Sequence, residues 1–273
     1  MDRGRIDVAV HPFSSGGGND VRITTRYDET NPLDSLYSTI HEVGHATYEQ
    51  NVDQAYNFTP LGSGCSMAVH ESQSRIYENQ LARSRPFTDW LFGQMKDSFG
   101  DLGVADSDAF YRAVNSVKNG FIRTEADELQ YNLHIMLRYD LERALISGDL
   151  RVNDLEGAWN DRFLADFGYA VPKASLGMLQ DIHWSECLIG YFPTYAIGNI
   201  YAACLREAML KDAPNALDEL SEGRTDTARN WLQENVQRHG CRYKAQEVIE
   251  KATGEAASSE PFVRYIREKF ATL

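Results

Sequence analysis

His41-Glu42-Val43-Gly44-His45 is the stretch of this 273-residue chain whose residue types and spacing best suit chemistry. Residues four apart on a helix share one face, one turn apart. The two imidazoles can therefore reach one tetrahedral divalent metal, at about 2.0–2.1 Å each. Glu42, beside the first histidine, can direct its carboxylate at a water on that metal; this is the HExxH arrangement. The competing reading is a set of unrelated structural histidines. With seven histidines in the chain, chance produces such a pattern in about one chain in a hundred, which favours the metal.

A hydrolytic zinc site needs a third protein ligand and an open fourth position. The segment Met67-Ala68-Val69-His70-Glu71-Ser72-Gln73-Ser74-Arg75 offers both His70 and Glu71. His/His/Glu is a catalytic ligand combination, but spacing alone does not choose between the two. A solvated helical glutamate is the bland alternative. HExxH by itself also leaves the activity open, between exopeptidase and oligopeptidase action and a metal-binding module without catalysis. Gly62-Ser63-Gly64-Cys65 lacks the strand–turn–helix context of a nucleophile elbow. His134 and His239 have helical surroundings and read as structural.

The elements that must carry these residues are mostly helices. Asn31 followed by Pro32 marks a helix start, with Asn as cap and Pro at the first position; the helix should run to about Glu49. A second is expected from Met67 to about Arg83, and others over 86–97, 107–117, 153–166, 191–211, 224–238 and 260–271. The strongest periodic run, 121–147, is closed by Gly148 as a C-terminal stop. RIDVAV and VRITTRY, rich in β-branched residues, read as neighbouring strands, a small hairpin flanking the flexible-looking Gly16-Gly17-Gly18. The expected class is mainly α with a small early hairpin or sheet, in a single catalytic domain over 1–273.

Composition narrows the partners. The net charge of -13 argues against a nucleic-acid surface, because phosphate binding needs clustered Lys and Arg. It also disfavours anionic membranes, and no apolar run approaches the roughly 20 residues of a membrane helix. Cys65, Cys187, Cys204 and Cys241 are widely spaced and form no CxxC pair, so reduced thiols are expected. With no signal-like N-terminus, the cytoplasm is the expected compartment.

Further motifs lie in order along the chain: His11-Pro12-Phe13, Asp20-Val21-Arg22-Ile23-Thr24, His70-Glu71-Ser72-Gln73, Ile122-Arg123-Thr124-Glu125-Ala126-Asp127, Gly177-Met178-Leu179-Gln180-Asp181-Ile182-His183-Trp184 and Gly190-Tyr191-Phe192-Pro193-Thr194-Tyr195. Together with HEVGH they resemble the carboxypeptidase Taq family of metallocarboxypeptidases, through its HPF, DxRxT, HES, IRxxAD and GxxQDxHW patterns. The resemblance implies a gluzincin-like helical fold and release of single residues from peptides with a free C-terminus. It also implies one divalent metal per chain, Zn²⁺ or another such as Co²⁺. Family members usually carry a long helical region ahead of HPF, so the chain is expected to correspond to the family's C-terminal catalytic half. The family's dimerisation makes a homodimer one assembly open to it.

The resemblance also assigns residues. Glu71 becomes the third ligand beside His41 and His45, with Glu42 as general base. Arg123 becomes the anchor of the substrate carboxylate, a task a guanidinium performs through paired hydrogen bonds. By its neighbours alone, Glu125, Asp127 and Glu128, Arg123 would read as a helical ion pair on a solvated face. His183 and Tyr195 are expected in the active site as donors to an oxyanion, and Arg22 and His11 along it. Glu125 or Asp127 is expected to orient a ligating imidazole, as such ligands usually require.

Overall fold

The computed structural model describes residues 3–273. They are mainly helical, with one small sheet, and group into two compact units: the residues up to Val114 with Ile197–Leu273, and Asn115–Ala196. No helix among the described residues is long and apolar enough to cross a membrane. All four cysteines are free thiols.

The first unit opens with β1 (Gly4–Val8), β2 (Ser14–Gly17) and β3 (Asp20–Thr25), in the order β1-β3-β2. β1 pairs with β3 in parallel, with Arg5 opposite Arg22. β2 pairs with β3 antiparallel, with Gly17 opposite Asp20. The hairpin is thus β2–β3, and the expected pairing of the two apolar runs as a hairpin is corrected to a parallel pair. Gly16 and Gly17 lie within a strand, not a linker, because neighbouring β3 supplies their ladder partners. Val21 and Ile23 of β3 are buried with Val43 and Ala46 of α1 (Pro32–Asn51), while Arg22, alternating with them, faces out.

α1 begins at the expected Pro32, although the Asn31 side chain makes no capping bond. α2 (Met67–Arg75) is capped by the Ser66 hydroxyl, which accepts from the Val69 amide at 3.2 Å. The chain then passes into a π-helical segment, Ile76–Leu81, where the Ala82 amide bonds the Tyr77 carbonyl. α3 (Arg85–Phe99) and α4 (Ser107–Val114) close one small core around Tyr37, Leu91 and Phe110.

In chain order the next helices, α5 (Tyr131–Ser147) and α6 (Leu155–Phe167), belong to the second unit. α7 (Pro193–Asp212) enters the first unit from Ile197 onward. There its Ala202, Leu205 and Met209 share the main core with Val69 of α2, Leu232 of α8 (Asp226–Asn235) and Val248 and Ile249 of α9 (Ala245–Thr253). α9 went unforeseen in the sequence. α10 (Glu260–Phe270) completes the unit, its Tyr265 hydroxyl donating to the Asn79 carbonyl.

In the second unit, Leu137 and Leu141 of α5 pack with Trp159 and Phe163 of α6. The helix expected over 121–147 starts only at Tyr131. Upstream, Arg123–Glu125 is a single 3₁₀ turn and Ala126 is extended. The reason lies in Asp127: its carboxylate accepts from the Gln130 and Lys118 amides, and its carbonyl from the Tyr131 amide. A residue that satisfies orphan amides this way starts a helix and does not continue one.

Candidate functional site

α1 and α2 cross at Gly44 of HEVGH, where a β-carbon would meet the Gln73 carbonyl and the Ser74 Cα at 2.6 Å. This close approach brings Glu71 against the histidine face of α1. Glu71 Oε2 lies 3.8 Å from His41 Nε2 and 3.6 Å from His45 Nε2. The ligand atoms of His41, His45 and Glu71 all fall within 4.8 Å of one another.

The far sides of both rings are held. His41 Nδ1 lies 2.9 Å from Glu78 Oε2, so the ring donates there and turns the Nε2 lone pair toward Glu71. His45 Nδ1 lies 2.9 Å from His70 Nδ1, whose other nitrogen is 2.6 Å from Glu49 Oε1. Arg75 spans the two acids, donating to Glu71 Oε1 at 2.6 Å and Glu78 Oε2 at 3.3 Å. Two imidazole lone pairs and a carboxylate oxygen, each ring held from behind, are what a divalent metal requires. The residues present fit the group.

Electrostatics agree. Burial opposes the charge on Glu78, but the His41 hydrogen bond and the Arg75 and Arg83 guanidiniums outweigh it and hold the carboxyl well below the usual range. Burial likewise opposes protonation of His41, yet Glu71 and Glu78 raise its pKa. His45 goes the other way, driven well down by burial and by His41 and His70. Glu42 is 7% exposed, and burial pushes its carboxyl up to about 7. It makes no hydrogen bond among the described residues, as suits a group that must take up and give back a proton.

Spacing left His70 and Glu71 open; the geometry gathers Glu71 with the histidines and puts His70 behind His45. Glu125 and Asp127 do not orient the rings: Asp127 holds the turn that leads into α5, and Glu78 and His70 hold His41 and His45. Sequence reading missed Glu78, Glu49 and Arg75 in these positions. The available signals were weak: Glu49 lies four residues beyond His45 and Arg75 four beyond Glu71. Arg22 pairs with Asp20 at 2.9 Å on the exposed face of the sheet, and the exposed His11 ring contacts the Pro12 carbonyl.

The other expected residues meet within the second unit. Arg123 donates from Nε and Nη2 to Asp181 Oδ1 (3.0 and 2.7 Å) and from Nη1 to the Tyr131 hydroxyl (3.0 Å). Asp181 Oδ2 accepts from Arg138 Nε at 2.6 Å. Burial resists the Asp181 charge, but Arg138 and Arg123 hold its carboxyl below the usual range. Against burial, the Tyr131 hydroxyl and Asp181 raise the pKa of Arg123. Its guanidinium lies 4.7 Å from the centre of the Tyr195 ring, and the Tyr195 hydroxyl is 3.0 Å from His183 Nε2. The His183 ring packs tilted against Phe192 at 4.3 Å between centroids, and burial and Arg123 lower its pKa. A guanidinium carries five N–H donors; three are used, leaving one on each terminal nitrogen for a further acceptor. Asp181, which holds both arginines, was visible in the sequence only as a motif letter.

A mainly helical protein whose HExxH helix supplies two histidines and whose next helix supplies a glutamate beside them falls in the class of helical metallopeptidases. More particularly, residues 1–270 match the carboxypeptidase Taq (M32) metallopeptidase family, and the chain belongs to it. It is 42% identical over 278 residues to carboxypeptidase 1 of Bacillus subtilis, a match covering 100% of this chain and 55% of that protein. It is 41% identical to thermostable carboxypeptidase 1 of Pyrococcus furiosus, over 98% of this chain and 54% of the relative. The crystal structure of an M32 carboxypeptidase from Deinococcus radiodurans superposes with a TM-score of 0.96 at 46% identity, covering 99% of this chain and 55% of that one. The chain spans about half the length of the curated relatives it matches.

Proposed function

We propose that the protein is a metal-dependent carboxypeptidase that releases single C-terminal residues from peptides, with 1–273 acting as one catalytic domain. The observation that carries this reading is Glu71 Oε2 lying within 4 Å of both His41 Nε2 and His45 Nε2, in a chain of the M32 family. His41, His45 and Glu71 would hold a divalent cation, Zn²⁺ or Co²⁺. When bound, that ion supplies Lewis acidity and a water acidified toward neutrality.

The protein's own residues carry the remaining work. Glu42 takes the proton from the attacking water on a carboxylate oxygen and returns a proton to the departing amine nitrogen. The peptide bond breaks, and the amine leaves as the C-terminal amino acid. Arg123 binds the terminal carboxylate through its two remaining N–H groups, which selects the last peptide bond. The Tyr195 hydroxyl or the His183 imidazole donates to the oxyanion as the carbonyl becomes tetrahedral. Arg22, exposed on the sheet, offers the substrate a second cation.

The test compares an N-blocked dipeptide bearing a free C-terminus with its C-terminal amide, on zinc-loaded and chelated protein. Metal-dependent cleavage of the acid alone is expected. Equal cleavage of the amide would point to an oligopeptidase, and a requirement for a free amino terminus to an aminopeptidase. No hydrolysis of any peptide by fully loaded protein would leave a binding module.

A further inference from the structure

The two histidines of HEVGH are held by different means. His41 is backed directly by the Glu78 carboxylate. His45 is backed by a second imidazole, and only that ring reaches a carboxylate. We infer that His70 and Glu49 are positioning residues, a hydrogen-bonded chain that fixes the proton of His45 on Nδ1 and so frees its Nε2 to take the metal.

The direction of the chain follows from its far end. Glu49 Oε1 accepts from the Gly64 amide at 3.0 Å and, as a carboxylate oxygen, can only accept from His70 Nε2 at 2.6 Å. With its proton on Nε2, neutral His70 presents a lone pair at Nδ1. That lone pair requires the facing His45 Nδ1 to be the donor. Nε2 of His45, on the Glu71 side, is then left unprotonated. The opposite arrangement, with His70 donating to His45, would put the His45 proton on Nε2 and block the ligand position.

The surroundings hold the middle ring in place. Gly64 packs close against it, where a β-carbon would stand 2.6 Å from His70 Cδ2, and the Tyr48 ring sits 4.9 Å away on centroids. A half-turn of the imidazole would point carbon atoms at both Glu49 and His45, losing both hydrogen bonds. The role goes beyond the HES pattern, which assigns a task to Glu71 alone. It rests on the reading that His41, His45 and Glu71 hold the metal.

The experiment has two readouts. In metal-free wild-type protein, ¹⁵N NMR of the histidine rings should find His45 as the Nδ1–H tautomer; an Nε2–H tautomer would overturn the proposal before any substitution is made. Zn²⁺ affinity is then measured by competition with a chromophoric chelator. His70→Leu and Glu49→Leu should each weaken zinc binding by about 10–100-fold, the usual effect of losing such a support. His70→Asn, whose amide oxygen can still accept from His45, and Glu49→Gln, whose amide oxygen can still accept from His70, should recover most of it. Folded His70→Leu protein with zinc affinity within twofold of wild type would sink the proposal while leaving the metal site standing. Wild-type protein that binds no zinc would remove the metal reading and this inference with it.

Discussion

Gly44 lies against Ser74 so closely that a methyl group on Gly44 would sit 2.6 Å from the Ser74 Cα. The glycine inside HEVGH therefore serves the crossing of two helices, and through it the separation of Glu71 from the two histidines. Overpacking of this kind costs about 1–3 kcal/mol, so Gly44→Ala should lower the urea midpoint by a matching amount. It should also weaken zinc binding, because α2 can yield only by moving Glu71 away. Unchanged values for both would mean that the crossing is slack.

Glu42 is the one acid in the metal centre without a hydrogen-bond partner among the described residues. A base that only shuttles protons can lose its charge without loosening the metal. Glu42→Gln should keep zinc affinity within a few-fold and slow peptide hydrolysis by about 10²–10⁴-fold. Steady-state kinetics on protein of measured zinc content decides it, and full activity would reassign the base.

Asp181 joins two guanidiniums, taking Arg123 on one oxygen and Arg138 on the other. Arg138 is wholly buried and Arg123 nearly so. Removing the charge between them leaves two cations uncompensated, a change that costs about 3–5 kcal/mol in buried pairs. Asp181→Asn is expected to unfold at correspondingly lower urea and, where still folded, to raise KM for substrates with a free carboxylate. A loss below 1 kcal/mol would show that water reaches the pair.

His134 is buried with neither ring nitrogen hydrogen-bonded among the described residues, its ring against Phe167 at 4.6 Å between centroids. Burial, with Arg138 and Arg123 adding to it, pulls its pKa from 6.5 down to about 3. The unfolded chain therefore binds a proton below pH 6.5 that the folded protein refuses. The contribution is fully present above 6.5 and is lost as the pH falls toward 3, at roughly 1–2 kcal/mol per pH unit. His134→Leu should flatten the fall in Tm between pH 6.5 and 4.5; an unchanged slope would place the acid sensitivity elsewhere.

Sequence alone determined the HEVGH helix and its paired imidazoles, because a four-residue spacing, a Pro32 start and helical apolar periodicity are local properties of a chain. It also determined the mainly helical class and, through ordered motifs, the family. Pairings between elements were beyond its reach. The ordered motifs named Glu71 as the third ligand, where spacing had left it open with His70. Only the tertiary structure gave the close crossing of α1 and α2 at Gly44 that lays Glu71 beside the histidines, and set His70 behind His45. Only packing supplied Glu78 behind His41, from a π-helical turn whose phase no regular period predicts. The same holds for Arg123. Its flanking acids suggested a surface ion pair, but its partner is Asp181, 58 residues away, and a buried charge takes the partner that folding brings to it.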